Sequence, residues 1–265
     1  MAQDMADVTF VMQKRADGLV RITLDRPEKH NAFTADTILG LTRAFQSLGS
    51  DPDVRAILLT GNGPSFCAGA DAGWMRAQAT ASDADNRADA MRLSDMLATI
   101  NDCPKTVICV AHGNVFGGGV GLVACADLVV VVPGTEFRLS EVRLGLTPAT
   151  ISPFVVAKIG QSQARRFFLT AEGFGAEAAV AMGLAHVISD EPQTRVEAWF
   201  AQLQTGAPGA LADAKSLIEQ VSNRPISISL RSETADRIAE RRASAEGREG
   251  LSAFLDKRKP EWAPK

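Results

Sequence analysis

Four cysteines and three histidines are few for a chain of 265 residues, and none is spaced as a metal ligand set. Cys67, Cys103, Cys109 and Cys125 form no C-x-x-C pair, and His30, His112 and His186 show no H-x-x-x-H spacing. A zinc site is therefore not expected. Cys67, Cys109 and Cys125 sit among apolar neighbours, which reads as small buried thiols suited to a reducing cytoplasm. A basic excess is also missing. Lys and Arg number 28 against 31 Asp and Glu, for a formal charge of −3 and a pI near 5.7. That argues against a dedicated nucleic-acid binder and leaves Lys257-Arg258-Lys259 as a candidate local basic patch. Met1–Phe10 carries Asp4 and Asp7 and no basic residue, so no signal peptide is expected there. The most apolar run, Val107–Ala126, contains His112, Asn114 and five glycines, so no membrane span is expected. What is present is ordinary for a globular protein: 46% hydrophobic and 22% charged residues, in a length that suits one large domain or two small ones.

Val8–Met12 and Leu19–Leu24 read as a β-hairpin, broken by Asp25-Arg26-Pro27-Glu28. Thr34 is placed to cap a helix running to about Leu48, with Ile38, Leu41, Phe45 and Leu48 at helical spacing. Val54–Thr60 and Thr106–Val110 read as buried strands, and Leu128–Val132 is a continuous apolar run, as expected of a strand covered on both faces. Helices are expected from Ala72, over Ala88–Ile100 and over Gly118–Ala126, with Ala79–Asp89 a mobile polar stretch and His112–Gly117 a loop. This alternation predicts an α/β domain with parallel strands. Beyond Ser152 helices dominate, over Phe154–Ile159, Ala164–Leu169, Ala176–Met182 and most of the chain from Thr194, with one strand at Ala185–Ile188. The expected organisation is an α/β core over residues 1–193 and a helical oligomerisation region over residues 194–265. Its helices carry too few apolar residues to form a core of their own.

Three segments have the residue types that chemistry needs. The run Gly117-Gly118-Gly119-Val120-Gly121-Leu122 is neither a dinucleotide fingerprint nor a P-loop, and no G-x-S-x-G nucleophile elbow occurs. A glycine cluster entering a helix leaves backbone N–H groups free at the positive end of the helix dipole, where developing negative charge is stabilised. The plainer alternative is that the glycines let the helix pack closely. Ser65-Phe66-Cys67-Ala68-Gly69-Ala70-Asp71 is a small-residue loop that lets backbone approach a ligand, with Asp71 placed to cap a following helix. Two such loops can each offer one N–H to a single oxygen. Glu141 lies between apolar residues after a strand. If partly buried it acquires a raised pKa and can pass protons near neutral pH; if at the surface it pairs with Arg138 or Arg143.

In this order these segments resemble the enoyl-CoA hydratase/isomerase (crotonase) superfamily. Leu24-Asp25-Arg26-Pro27-Glu28-Lys29-His30-Asn31-Ala32 is similar to its N-terminal signature, Phe66–Asp71 to its first oxyanion loop, and His112–Asp127 to its second. Phe254-Leu255-Asp256-Lys257-Arg258-Lys259-Pro260 is similar to its C-terminal end. The resemblance spans nearly the whole chain. It implies a spiral of ββα units with a C-terminal helical trimerisation region, a homotrimer or dimer of trimers, and an acyl-CoA thioester substrate. Coenzyme A would enter as part of that substrate, with no permanently bound cofactor. It further implies that Ala70 and Gly118 form the oxyanion hole and that Glu141 is the acid–base group. Lys29, Ala32, Ala68, Asp71, Trp74 and Gly117 would contact substrate or CoA, and Phe254 and Lys257 would contact CoA bound in the adjacent subunit. The family's first glutamate would fall at position 121, where this chain has Gly121, a departure expected to leave space for a branched acyl chain. The runs Val115–Leu122 and Pro148–Val155 look like those of bacterial methylglutaconyl-CoA and isohexenylglutaconyl-CoA hydratases. The implied activity is hydration of the 2,3-double bond of an enoyl-CoA, with isomerisation or a non-catalytic CoA-binding or assembly role as alternatives.

Overall fold

A computed structural model describes residues 9–264. In chain order, strands β1 (Phe10–Lys14) and β2 (Leu19–Leu24) precede helix α1 (Ala35–Ser50). Then come β3 (Ala56–Gly61), β4 (Ser65–Cys67), α2 (Ala72–Gln78), α3 (Asp83–Asn101), β5 (Thr106–Ala111), β6 (Asn114–Phe116) and α4 (Gly118–Cys125). β7 (Leu128–Val131), β8 (Glu136–Arg138), α5 (Ser152–Thr170), α6 (Ala176–Ala181) and β9 (Val187–Ile188) follow. Helices α7 (Pro192–Thr205), α8 (Pro208–Val221), α9 (Ile228–Ala243) and α10 (Ala245–Leu255) complete the chain. The hairpin expected from Val8 begins at Phe10; Val8 itself, like most of the Met1–Phe10 leader reading, lies outside the described residues.

Two sheets result. The larger runs β1-β2-β3-β5-β7-β9 and the smaller β4-β6-β8. β1 pairs antiparallel with β2, and every other pairing between the strands is parallel. The architecture is a spiral of ββα units: β3-β4, β5-β6 and β7-β8 each add one strand to each sheet before the chain turns into helix.

Alternation along the large strands sorts their side chains onto two faces. Ile57, Leu59, Val107, Cys109, Val129 and Val131 join the main core, while Ala56, Leu58, Ile108, Val110 and Val130 meet Val196 and Phe200 of α7. Helix α1 is capped as expected, Thr34 Oγ1 accepting the Thr37 N–H at 3.2 Å, and it buries Ile38, Leu41 and Phe45. The C-terminal helices bury far less: α8 nothing, α9 Leu230 and α10 Ala253.

Three expectations need correction. Ala79–Asp89 is helical from Asp83 onward, because Ser82 caps α3 and Asp83 and Asp85 favour the positive end of its dipole. The expected loop Ser65–Asp71 begins with β4 and the expected loop His112–Gly117 contains β6, while β8 has no counterpart among the expected strands. All three strands have only three residues, too short to show an alternation. The two helices expected over Phe154–Ile159 and Ala164–Leu169 are both present within α5, separated by a kink at Gly160, whose φ of 72° and ψ of 161° are not helical and suit glycine.

Candidate active site

The small sheet is parallel, so its three strands end on one side, and the three chemical segments leave from those ends. Ala68-Gly69-Ala70 follows β4, Gly117-Gly118 follows the central β6, and Glu141 lies three residues beyond β8. Ligand sites in open α/β folds are built at such carboxyl ends.

The first loop is held by the segment Arg26–Phe33. Phe33 N donates to the Gly69 carbonyl at 2.7 Å and the Phe33 carbonyl accepts the Asp71 N–H at 2.9 Å, a parallel bridge centred on Ala70. In such a bridge the central residue's own N–H points away from its partner. Among the described residues, no group accepts the Ala70 N–H. Arg26 spans the arrangement, donating to the Ala32 carbonyl at 3.0 Å and reaching Asp71 Oδ2 at 3.4 Å. Asp71 also caps α2 through the Gly73 and Trp74 N–H groups. Asn31 Nδ2 donates to the Ser65 carbonyl at 2.8 Å, fixing the start of β4.

The second loop turns at Gly117, whose φ of 48° and ψ of −115° suit only glycine. Its N–H is taken by the Arg138 carbonyl at 2.9 Å. The chain then enters α4 with Gly118 as the first helical residue, whose N–H has no intrahelical partner. The two loops are close: a Cβ placed on Gly69 would stand 3.7 Å from Gly118 N. Two unpartnered N–H groups on facing loops can therefore serve one oxygen.

Glu141 completes the group. Its Oε1 lies 3.2 Å from where a Cβ on Gly117 would be. Its Oε2 is buried with no hydrogen-bond partner. Burial raises its pKa above the ordinary carboxylate value. The surface pairings considered for it do not form, since Arg138 pairs with Glu136 and Arg143 donates to the Ala171 carbonyl. The four cysteines are free and buried, and burial pushes the Cys67 thiol up to about 12. Among the described residues no three His, Cys, Asp or Glu side chains are grouped to hold a metal ion.

Residues 14–265 match the family model described as enoyl-CoA hydratase/isomerase. This chain belongs to the enoyl-CoA hydratase/isomerase family. Enoyl-CoA hydratase AFT6-1 of Alternaria alternata is 40% identical over 78% of this chain and 68% of its own length. The 1,4-dihydroxy-2-naphthoyl-CoA synthase of Mycobacterium tuberculosis (strain ATCC 25618 / H37Rv) is 29% identical over 98% of this chain and 88% of its own. The crystal structure of an enoyl-CoA hydratase from Shewanella pealeana superposes with a TM-score of 0.94, at 36% identity over 96% of each chain. The chain is thus an enzyme of the enoyl-CoA hydratase/isomerase family.

In the candidate site, Ala68, Ala70, Asp71, Gly117, Gly118 and Glu141 come together. Ala32 lies beside them, its carbonyl held by Arg26. Lys29 is exposed on the same N-terminal segment, and Trp74 packs half-buried against the core. Phe254 and Lys257 lie at and just beyond the end of α10, Phe254 with 79% of its surface exposed. They make no part of the group formed by the three loops.

The space expected at Gly121 does not exist. A Cβ there would stand 2.5 Å from Ile151 Cγ2 and 3.5 Å from Leu97 Cδ2. The glycine run therefore has two purposes. Gly119 packs against the Cys67 carbonyl (2.3 Å to an added Cβ) and Gly121 against Ile151, while Gly117 and Gly118 shape the site. Sequence reasoning missed Phe33, Arg26 and Ile151. Arg26 lies inside the N-terminal signature and Phe33 directly follows it, so that motif was a usable signal for both; Ile151 meets Gly121 only through tertiary packing.

Proposed function

We propose that the enzyme hydrates the 2,3-double bond of an enoyl-CoA, with Glu141 as its one acid–base group. The observation carrying this is the buried, unpartnered Glu141 carboxylate beside Gly117. The thioester oxygen lies between the Ala70 and Gly118 N–H groups, which hold it more tightly as it becomes an enolate. Glu141 takes a proton from water as the water oxygen bonds to C3. The enolate then collapses as protonated Glu141 returns a proton to C2. One carboxylate can serve both adjacent carbons, and its raised pKa suits it to accept and return the proton. A branched, 3-methylglutaconyl-like acyl group is supported by the resemblance of the Val115–Leu122 and Pro148–Val155 runs; the filled space at Gly121 adds no support.

A single carboxylate also favours a second reading, isomerisation, in which Glu141 moves one proton between C2 and C4. Incubation with a panel of enoyl-CoA esters and mass analysis separates the readings. Hydration adds the mass of one water, isomerisation changes nothing but the product's retention, and an inert protein returns the ester unchanged. Return of every ester unchanged defeats both catalytic readings and leaves a CoA-binding or assembly protein.

The exposed Phe254 and Lys257 fit a homotrimer or dimer of trimers in which they cover CoA held by a neighbouring copy. Lys257 would meet a phosphate as a point charge. A truncation before Ser252 is expected to weaken CoA binding; unchanged affinity removes both residues from the assignment.

A further inference from the structure

Helix α4 presents its N–H end to the proposed oxyanion hole, and its other end is unusual. The helix consists of Gly, Val, Leu, Ala and Cys, so it has no side chain of its own to meet its terminal carbonyls. Lys158 of α5 supplies that contact: its Nζ donates to the Ala126 carbonyl, the C-cap of α4, at 3.0 Å. Burial lowers the Lys158 pKa, and neighbouring Asp127 and Cys125 oppose that effect while Lys215 adds to it. Asp127 does not neutralise Lys158 by direct pairing. Its Oδ2 is engaged by Lys215 at 2.9 Å and by the Val107 N–H at 2.7 Å. His186, also near Lys158, has its pKa lowered chiefly by burial, and its Nδ1 accepts the Val129 N–H. A half-buried ammonium thus stands at the negative end of a short helix whose positive end faces the developing enolate.

We propose that Lys158 is a positioning residue for catalysis. Its ammonium, fixed at the carbonyl end of α4, offsets the negative end of the helix dipole and raises the positive potential at the Gly118 N–H. The helix has eight residues, so the charge acts over about 12 Å. In a medium of effective dielectric constant about 20, that amounts to about threefold to tenfold in enolate stabilisation. The inference rests on the oxyanion-hole reading of Ala70 and Gly118.

The test reads the enolate directly. Acetoacetyl-CoA has an acidic C2–H, and its enolate absorbs in the ultraviolet, so the ionised fraction of bound ligand at fixed pH reports the potential in the hole. Lys158→Gln keeps a donor for Ala126 and removes the charge. It is expected to lower the ionised fraction about threefold to tenfold and to lower kcat in step, with KM unchanged. Lys158→Arg is expected to restore both. Asp127→Asn removes a nearby negative charge and is expected to move the ionised fraction the other way. That variant keeps the test decisive if Lys158→Gln does not fold. A native-like enolate signal in Lys158→Gln, or no rise in Asp127→Asn, overturns the proposal. If the native enzyme shows no enolate signal, the oxyanion-hole reading fails and this proposal fails with it.

Discussion

The two sheets are built by the same ββα repeat and do opposite work. The large sheet has strands of up to six residues, of which β2, β3, β5 and β7 are mostly buried, and its residues run through both core clusters. The small sheet has three strands of three residues, and each ends in a segment of the candidate site. Long strands carry stability because each adds apolar pairs to both layers. Three-residue strands add fewer core residues, here Phe66, Cys67, Val115 and Phe137, but in parallel they aim three loops at one point. Activity and stability should therefore separate between the sheets.

The largest separation is expected at Glu141. Glu141→Gln keeps size and hydrogen bonding but cannot accept a proton, so turnover should fall at least about 10²-fold with KM nearly unchanged. In the native enzyme kcat/KM should fall as pH drops through an ionisation above the ordinary carboxylate range, as burial of Glu141 requires. A variant keeping a tenth of native turnover would move the chemistry to another group.

A somewhat smaller loss is expected at Gly118. Phe33 blocks any direct test, since its Cε2 would stand 2.6 Å from a Cβ at Gly118. In a Phe33→Ala background, Gly118→Pro removes the N–H with room for the ring. Its kcat should fall about 10²-fold to 10³-fold relative to Phe33→Ala alone. Equal kcat in the two folded variants takes Gly118 out of the hole.

The large sheet should show the reverse. Leu59 of β3 is fully buried, and Leu59→Ala should cost about 2–5 kcal/mol of stability. Per folded molecule, turnover should stay near native. Denaturant unfolding alongside active-site titration checks both, and loss of specific activity without loss of stability breaks the comparison.

The smallest effect is thermal. A pKa raised in the folded state means the ionised carboxylate costs stability above its unfolded value, and that cost disappears as pH falls below it. Glu141→Gln should therefore melt about 1–3 °C higher at neutral pH, with the gap closing toward acid. Melting curves across pH read this; a gap that widens on acidification contradicts the burial argument.

The difference between the sheets also explains what was legible in the sequence. Val54–Thr60, Thr106–Val110 and Leu128–Val132 are legible because buried strands of the large sheet are rich in apolar and β-branched residues. β4, β6 and β8 are too short for a period. The residues they present were found through motif order, not through strand pattern. Glu141's burial could not be read locally, because Arg138 and Arg143 flank it in sequence and turn to other partners in space. The filled pocket at Gly121 was invisible for the same kind of reason: Ile151 is thirty residues away along the chain and in contact only through α4 and α5.

That contact between Gly121 and Ile151 constrains the history open to this site. Any side chain gained at 121 collides with Ile151 first, so such a gain is viable only after residue 151 has been trimmed. Trimming Ile151 alone opens a void in the core and is itself disfavoured. The two positions are thus epistatic, and a variant library that changes one residue at a time would not find the combination.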